Sequence, residues 1–253
     1  MDIADKIEFV QSTLGPMAWH TYPHIAGVVA MTDPQTGWHV GSALRLSLSG
    51  RRCIVTAAHV IEAARNHPPF GVTAVRGQIP YTLQGQPDRV DEALDVAAYF
   101  LPDEYPDEGL SFWPSERVDT AGENLSSDYL FVHGFPGARA QFSATPGGLV
   151  KKSLPYGVML RDDDLPNDMA SFEFAMDFDP ANMVSADPAE ALLLAPYGLS
   201  GSPVWRLGAS GLKANAWKPE LSMLVGFVTA WQEDKKLLRA TLAAPVLEAL
   251  QRA

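Results

Sequence analysis

Residues 197–205 read YGLSGSPVW, in which glycines lie on both sides of Ser200 and an apolar run begins after Pro203. Glycine permits backbone conformations that a Cβ would obstruct, so a serine between glycines fits a tight turn that leads into a strand. The same arrangement suits a reactive serine, because backbone N–H groups must face the oxyanion that develops during attack. The stretch leaves both interpretations open, and the partners of a reactive serine must be sought elsewhere in the chain.

The segments around this turn have the pattern of short β-strands. Leucines alternate with polar residues over 44–49, and apolar residues alternate again over 172–178. Together with short apolar runs bounded by Gly and Pro, this pattern predicts strands within 24–31, 37–50, 53–60, 71–77, 94–101, 129–135, 171–178, 190–196, 202–207 and 221–231. Helical patterns appear only near the ends, over 2–14 and 244–253. The sequence therefore predicts an all-β sandwich or barrel pair with short N- and C-terminal helices.

Composition and charge exclude several classes of function. A net charge of −11 argues against a nucleic-acid partner, because phosphates are bound by clustered Lys and Arg. The single cysteine, Cys53, excludes an internal disulfide framework and a multi-cysteine zinc site. Residues 1–15 carry acidic residues where a signal peptide has a basic flank, and no window approaches the ~20 apolar residues of a membrane span. We therefore expect a cytoplasmic protein that has no membrane partner.

The partners of a reactive serine are an imidazole that takes its proton and a carboxylate that orients the imidazole. His59 ends the apolar run VTAAHV, so the sequence predicts an imidazole delivered at a strand end. Asp95 lies at the edge of the apolar run LDVAAYF, where a buried carboxylate needs a partner. Asp91 is the alternative orienting carboxylate, although it precedes the apolar run. The candidate constellation is therefore His59, Asp95 and Ser200.

The order of these three residues separates the known hydrolase folds. Chymotrypsin-type enzymes run His–Asp–Ser, whereas α/β-hydrolases run Ser–Asp/Glu–His and subtilisins run Asp–His–Ser. An α/β-hydrolase would also need Gly-x-Ser-x-Gly, and Ser202 occupies the final position here. Order, motif and strand pattern therefore all argue against the α/β-hydrolase.

The blocks VTAAHV, LDVAAYF, VHGFPG and GLSGSPVW resemble the trypsin/chymotrypsin-like serine peptidases, most closely their bacterial disulfide-free type, over residues 22–245. The resemblance implies two six-stranded antiparallel β-barrels with a cleft between them. Residues 1–21 would form an N-terminal helical extension, and residues 22–117 the first barrel. Residues 118–253 would form the second barrel and the C-terminal helix.

The same resemblance implies a role for each residue of the constellation. His59 would be the general base, Asp95 its orienting carboxylate and Ser200 the nucleophile. The backbone N–H groups of Gly198 and Ser200 would form the oxyanion hole. Leu199 departs from the family, because digestive members carry an aspartate there that pairs with a newly cut N-terminus. The site is therefore either preformed or ordered by another event.

The resemblance also implies a substrate pocket. Leu194 would replace an acidic pocket floor, Thr229 would match the serine that lines the cleft, and Trp231 would narrow the pocket. A small or medium apolar side chain is therefore expected before the scissile bond. Glu233 and Asp234 would reverse that preference if they reach into the pocket.

These residues predict a serine endopeptidase that acts on proteins or peptides and needs no cofactor. The spacing of His20, His24 and His39 suits no metal site, so no metal is expected. Because a free protease endangers its host, we expect a regulated intracellular enzyme with an activating or inhibiting protein partner, as in stress or defence effectors. The alternative is a catalytically silent trypsin-fold interaction module.

Overall fold

The computed structural model describes residues 3–33, 36–67, 69–73, 80–106, 109–121, 125, 128–137, 140–142, 149–151, 153–179, 196–208 and 216–252. The α-helices of this part of the chain are α1 (Ile3–Thr21), α2 (Ala58–Arg65) and α3 (Ala243–Gln251). Its strands are β1 (Ile25–Asp33), β2 (Thr36–Leu48), β3 (Arg51–Thr56), β4 (Phe70–Val72), β5 (Tyr81–Thr82), β6 (Arg89–Asp91), β7 (Val96–Phe100), β8 (Trp113–Pro114), β9 (Leu130–Gly134), β10 (Ala140–Phe142), β11 (Leu149–Lys151), β12 (Leu154–Val158), β13 (Leu160–Arg161), β14 (Glu173–Asp177), β15 (Pro203–Arg206), β16 (Met223–Gln232) and β17 (Leu237–Leu242).

The first sheet contains the strands of the N-terminal half. Its order is β5-β4-β1-β2-β3-β7-β6, and the short β8 pairs with β2 in parallel. All other pairs in this sheet that the structure describes are antiparallel. Its concave side encloses a core that includes Val28, Ile54 and Tyr99, and α2 adds Val60 and Ile61 to that core.

The second sheet has the order β12-β9-β15-β16-β17-β14-β13, and its pairs are antiparallel. It curls around a core of its own that includes Val132, Tyr156 and Phe178. Two curled antiparallel sheets with short helices confirm the predicted two-barrel, all-β fold. Among the described residues the sheets have eight and seven strands, because short strands such as β5 and β13 extend their edges.

A third apolar cluster joins the two sheets and the terminal helices. Trp113 from the first half meets Trp205 from the second edge to face, with ring centroids 5.6 Å apart. Both indoles are completely buried, as is Leu46 of β2 in the same cluster. The apolar contact fixes the relative position of the sheets, because burying this much aromatic surface strongly favours one docked arrangement. The two sheets therefore have one fixed arrangement relative to each other.

The helices differ from the sequence prediction in two places. The N-terminal helix was expected over residues 2–14, but α1 continues through Gly15 and Pro16 to Thr21. Beyond Pro16, Met17 is completely buried, so tertiary packing compensates for the hydrogen bond that proline removes. Helices were expected only at the ends, and α2 corrects that expectation. It directly follows β3 and carries His59 in its first turn rather than at a strand end.

The C-terminal helix was predicted over residues 244–253, and α3 confirms it. The strand predicted over 190–196 lies almost wholly outside the described residues. The division between residues 117 and 118 stays a prediction. The strands of the first sheet fall within residues 25–114 and those of the second within 130–242, which is compatible with that division.

None of the helices in the described residues is both long enough and apolar enough to cross a lipid bilayer.

Candidate functional site

Asp95 and His59 meet at the start of α2. Ala57 precedes this helix and has no side chain that can cap it. Asp95, immediately before β7, supplies the cap instead: its Oδ1 accepts the His59 N–H at 3.0 Å and its carbonyl accepts the Ala58 N–H at 3.1 Å. Its second carboxylate oxygen, Oδ2, accepts from His59 Nδ1 at 2.7 Å. One carboxylate therefore both fixes the helix end and orients the imidazole.

Asp95 reaches this position through an unusual backbone conformation. Its φ is +49°, in the left-handed region that non-glycine residues seldom adopt. Asp91, the alternative orienting carboxylate, lies in the same turn, where its Oδ1 accepts the N–H groups of Ala93 and Leu94 at 3.1 Å each. Asp91 stabilises the turn that presents Asp95, and Asp95 is the carboxylate that contacts His59.

The hydrogen bond to Asp95 determines the state of the other imidazole nitrogen. A carboxylate oxygen accepts, so Nδ1 of His59 carries the proton and Nε2 of the neutral ring keeps its lone pair. The His59 side chain is 46% exposed and borders an open cavity of about 470 Å³. Glu62, Arg65 and Glu92 also line this cavity. Asp95 therefore orients the ring, which remains partly exposed beside this cavity.

The turn that carries Ser200 is built from backbone hydrogen bonds. The Leu199 N–H donates to Pro196 O at 2.9 Å, and the Ser202 N–H donates to Leu199 O at 2.8 Å. Gly198 and Gly201 have φ values of +91° and +82°, so both need the freedom that glycine has. Leu199 is completely buried in the core of the second sheet. The stretch is therefore a tight turn, which is also the form a presented serine requires.

This turn docks directly on the first sheet. The Ser42 N–H donates to Ser200 O at 2.8 Å. A Cβ on Gly201 would overlap Ser42 O and the hydroxyl of Thr56, and would lie 3.0 Å from Ala57 N. Thr56 and Ala57 immediately precede α2, so the structure brings the Ser200 turn against the segment that leads into His59.

Two residues that sequence reasoning missed also contact the turn. His39 Nε2 donates to the Gly198 carbonyl at 3.1 Å, and Ser42 Oγ donates to the same oxygen at 2.9 Å. Their positions on β2, a strand with a β-bulge opposite β1, could not be related to residue 198 from spacing alone. The sequence gives a single signal for this contact, which is His39 close to the pair Gly41-Ser42.

The predicted pocket residues are only partly described. Leu194 lies outside the described residues. Thr229 and Trp231 lie on β16, and Trp231 meets the Tyr197 ring edge to face at 5.1 Å. Tyr197 is 64% exposed, and its hydroxyl donates to a Glu233 carboxylate oxygen at 3.4 Å. An aromatic wall with an acidic end therefore adjoins Gly198.

Packing and structural contacts surround Cys53 and the histidines at positions 20, 24 and 133. Cys53 is completely buried, and burial raises the pKa of its thiol to about 12. His133 lies within β9 and is almost completely buried. His20 and His24 both meet the ring of Trp113 edge to face, away from His39. Within the described ranges, no three His, Cys, Asp or Glu side chains form a group that could hold a metal.

No protein-family model matches the sequence, and no curated protein matches it either. Among solved structures, the chain is similar to the active form of the Rv3671c protease from M. tuberculosis, with a TM-score of 0.54 and 16% identity. That match covers 94% of this chain and 85% of the other. The chain is also similar to the serine protease domain of the Sesbania mosaic virus polyprotein, with 16% identity and a TM-score of 0.48, over 90% of this chain and 93% of that one. At 16% identity, the similarity to the Rv3671c protease shows the shared fold.

Proposed function

We propose that this chain is a serine endopeptidase in which Ser200, His59 and Asp95 form the catalytic triad. One observation carries the proposal: the Asp95 carboxylate fixes the His59 tautomer, and the Ser200 turn packs against residues 56 and 57, which lead into His59. A serine, a base and an orienting carboxylate in this order are the elements that nucleophilic acyl transfer requires.

The proposed reaction follows from the donors and acceptors of these groups. Ser200 Oγ attacks the carbonyl carbon of the scissile peptide while its proton passes to His59 Nε2. Asp95 accepts from Nδ1 and stabilises the imidazolium ion that forms. The carbonyl oxygen becomes an oxyanion, which the N–H groups of Gly198 and Ser200 would bind. His59 then gives the proton to the leaving amine, and water releases the acyl group by the same steps in reverse.

The comparison with known structures agrees with this function at the level of the fold. The Rv3671c protease shares the architecture over 94% of this chain. One fold can support several functions, so the named side chains support the proposed function more strongly than that similarity does. Protein or peptide substrates, a small or medium apolar residue before the scissile bond, and a regulated role in the cytoplasm are parts of the proposal.

An active-site-directed fluorophosphonate probe tests the nucleophile. We expect the wild-type protein to be labelled and Ser200→Ala to be unlabelled, because the probe reacts with an activated serine hydroxyl. Ser202→Ala is the matched control, since Ser202 lies in the same turn but is completely buried. Labelling that persists in Ser200→Ala would refute the assignment. A folded wild-type protein that never reacts would favour the catalytically silent interaction module.

A further inference from the structure

The peptide bond before Gly198 has a fixed orientation. Its carbonyl, on Tyr197, accepts the Gly137 N–H at 2.7 Å. In a trans peptide the N–H points opposite to the carbonyl, so the Gly198 N–H points away from Gly137. The hydrogen bond from Gly137 therefore determines the direction in which this donor faces.

The peptide bond after Gly198 is fixed from the other sheet. Its carbonyl accepts from Ser42 Oγ and His39 Nε2, both on β2. The Ser42 oxygen also accepts the Phe135 N–H at 2.9 Å, so its own hydrogen is directed at Gly198. Because a carbonyl oxygen can only accept, the Nε2 of His39 carries a hydrogen in this contact.

These contacts leave no room for a side chain at residue 198. A Cβ at residue 198 would lie 2.7 Å from Gly137 N and 2.7 Å from His39 Cδ2. The neighbouring Leu199 is completely buried among apolar side chains and provides no charge for an ion pair. Hydrogen bonds from Gly137, His39 and Ser42 therefore order this loop.

We propose that His39 and Ser42 are positioning residues that hold Gly198 in the conformation of a preformed oxyanion hole. The inference rests on the proposed function. The N–H donors of the oxyanion hole belong to the second sheet, and side chains of the first sheet hold them in place. The hole therefore forms when the two sheets dock. Cleavage of the N-terminus would then not be needed to order it.

Substitutions at both donors test the proposal with a peptide substrate. We expect Ser42→Ala and His39→Ala each to lower kcat by about tenfold, with KM changed by less than about twofold, because an oxyanion donor acts mainly in the transition state. His39→Gln keeps a donor and should restore most of the lost kcat. Ser47→Ala, on the same strand, is the control that should retain wild-type kcat.

A structural readout separates this inference from the proposed function. In the wild type and in Ser200→Ala, the amide resonance of Gly198 should be a single sharp signal, and His39→Ala should broaden or shift it. Unchanged kcat and an unchanged Gly198 signal in His39→Ala and Ser42→Ala would overturn the positioning role. If the wild type is inert towards the probe but the Gly198 signal responds to His39→Ala, the positioning role stands and the peptidase proposal fails.

Discussion

Two histidines of this chain lie in opposite surroundings. At the start of α2, His59 bonds through Nδ1 to Asp95 at 2.7 Å, and its side chain is 46% exposed. Beneath α1, His133 is 1% exposed; its Nδ1 bonds Thr21 Oγ1 at 2.7 Å and its Nε2 bonds Ser153 Oγ at 2.9 Å. Each ring is oriented by an oxygen at Nδ1, yet only His59 keeps a nitrogen for a reacting group.

The difference shows what separates a structural histidine from a reactive one. Thr21 Oγ1 donates to Met17 O, so it accepts from His133 Nδ1, and Ser153 donates to the remaining nitrogen. Burial lowers the pKa of His133 to about 3, so the ring stays neutral and links α1 to the second sheet. A carboxylate partner and a half-exposed side chain suit His59 for the proposed role of general base.

Asp95→Asn should give the largest effect on activity. It changes the surroundings of His59 and leaves those of His133 unchanged. The amide keeps an acceptor for the His59 N–H but can place a donor against Nδ1, which favours the wrong tautomer. We expect kcat to fall by about 10⁴-fold, as for the same change in the serine-protease template. The free energy of unfolding should fall by less than about 1 kcal/mol. Peptide hydrolysis and urea unfolding measure the two quantities, and a large stability loss with normal kcat would contradict the comparison.

His133→Phe should have the reverse effect. The ring volume is kept, but both hydrogen bonds are lost and the Ser153 hydroxyl loses its partner in a partly buried position. We expect the free energy of unfolding to fall by about 1–3 kcal/mol, the range for leaving buried polar groups unpaired. kcat measured well below the unfolding temperature should stay within about twofold of wild type. A loss of kcat without a loss of stability would contradict this prediction and show that His133 contributes to catalysis.

Acid should lower the free energy of unfolding gradually, over several pH units. The folded-state pKa of His133 is about 3 and that of His24, lowered mainly by burial, is about 4, against an ordinary value of 6.5. Below pH 6.5 the unfolded chain therefore binds protons that the folded chain does not, and the free energy of unfolding falls as pH falls. Each such group contributes up to about 1.4 kcal/mol per pH unit.

The comparison of wild type with His133→Phe isolates one of these protons. Between pH 6 and 4.5, urea unfolding of the variant should show a slope that is smaller by about one proton. If the free energy of unfolding has the same pH slope in both proteins, His133 does not stay neutral in the folded wild type.

The site was predictable where chemistry depends on local residue types. His59 and Asp95 could be paired because each ends or begins an apolar run, and the structure places their side chains in contact. The helix α2 could not be foreseen, because its start is capped by Asp95 from another strand rather than by a residue of its own. The length of α1 was underestimated for a similar reason, since burial of Met17 outweighs the local signal of Pro16.

The sequence by itself determined the strand pattern, the His–Asp–Ser order and the glycines that the Ser200 turn requires. These features depend on short-range periodicity and on φ preferences, which act within a few residues. Only the tertiary structure decided that the buried His133 connects α1 to the second sheet. It also decided that His39 and Ser42, on the first sheet, bind the Gly198 carbonyl of the second half. Those roles depend on burial and on hydrogen bonds between residues more than 90 positions apart in the chain, such as Ser42 with Phe135, which no local pattern encodes.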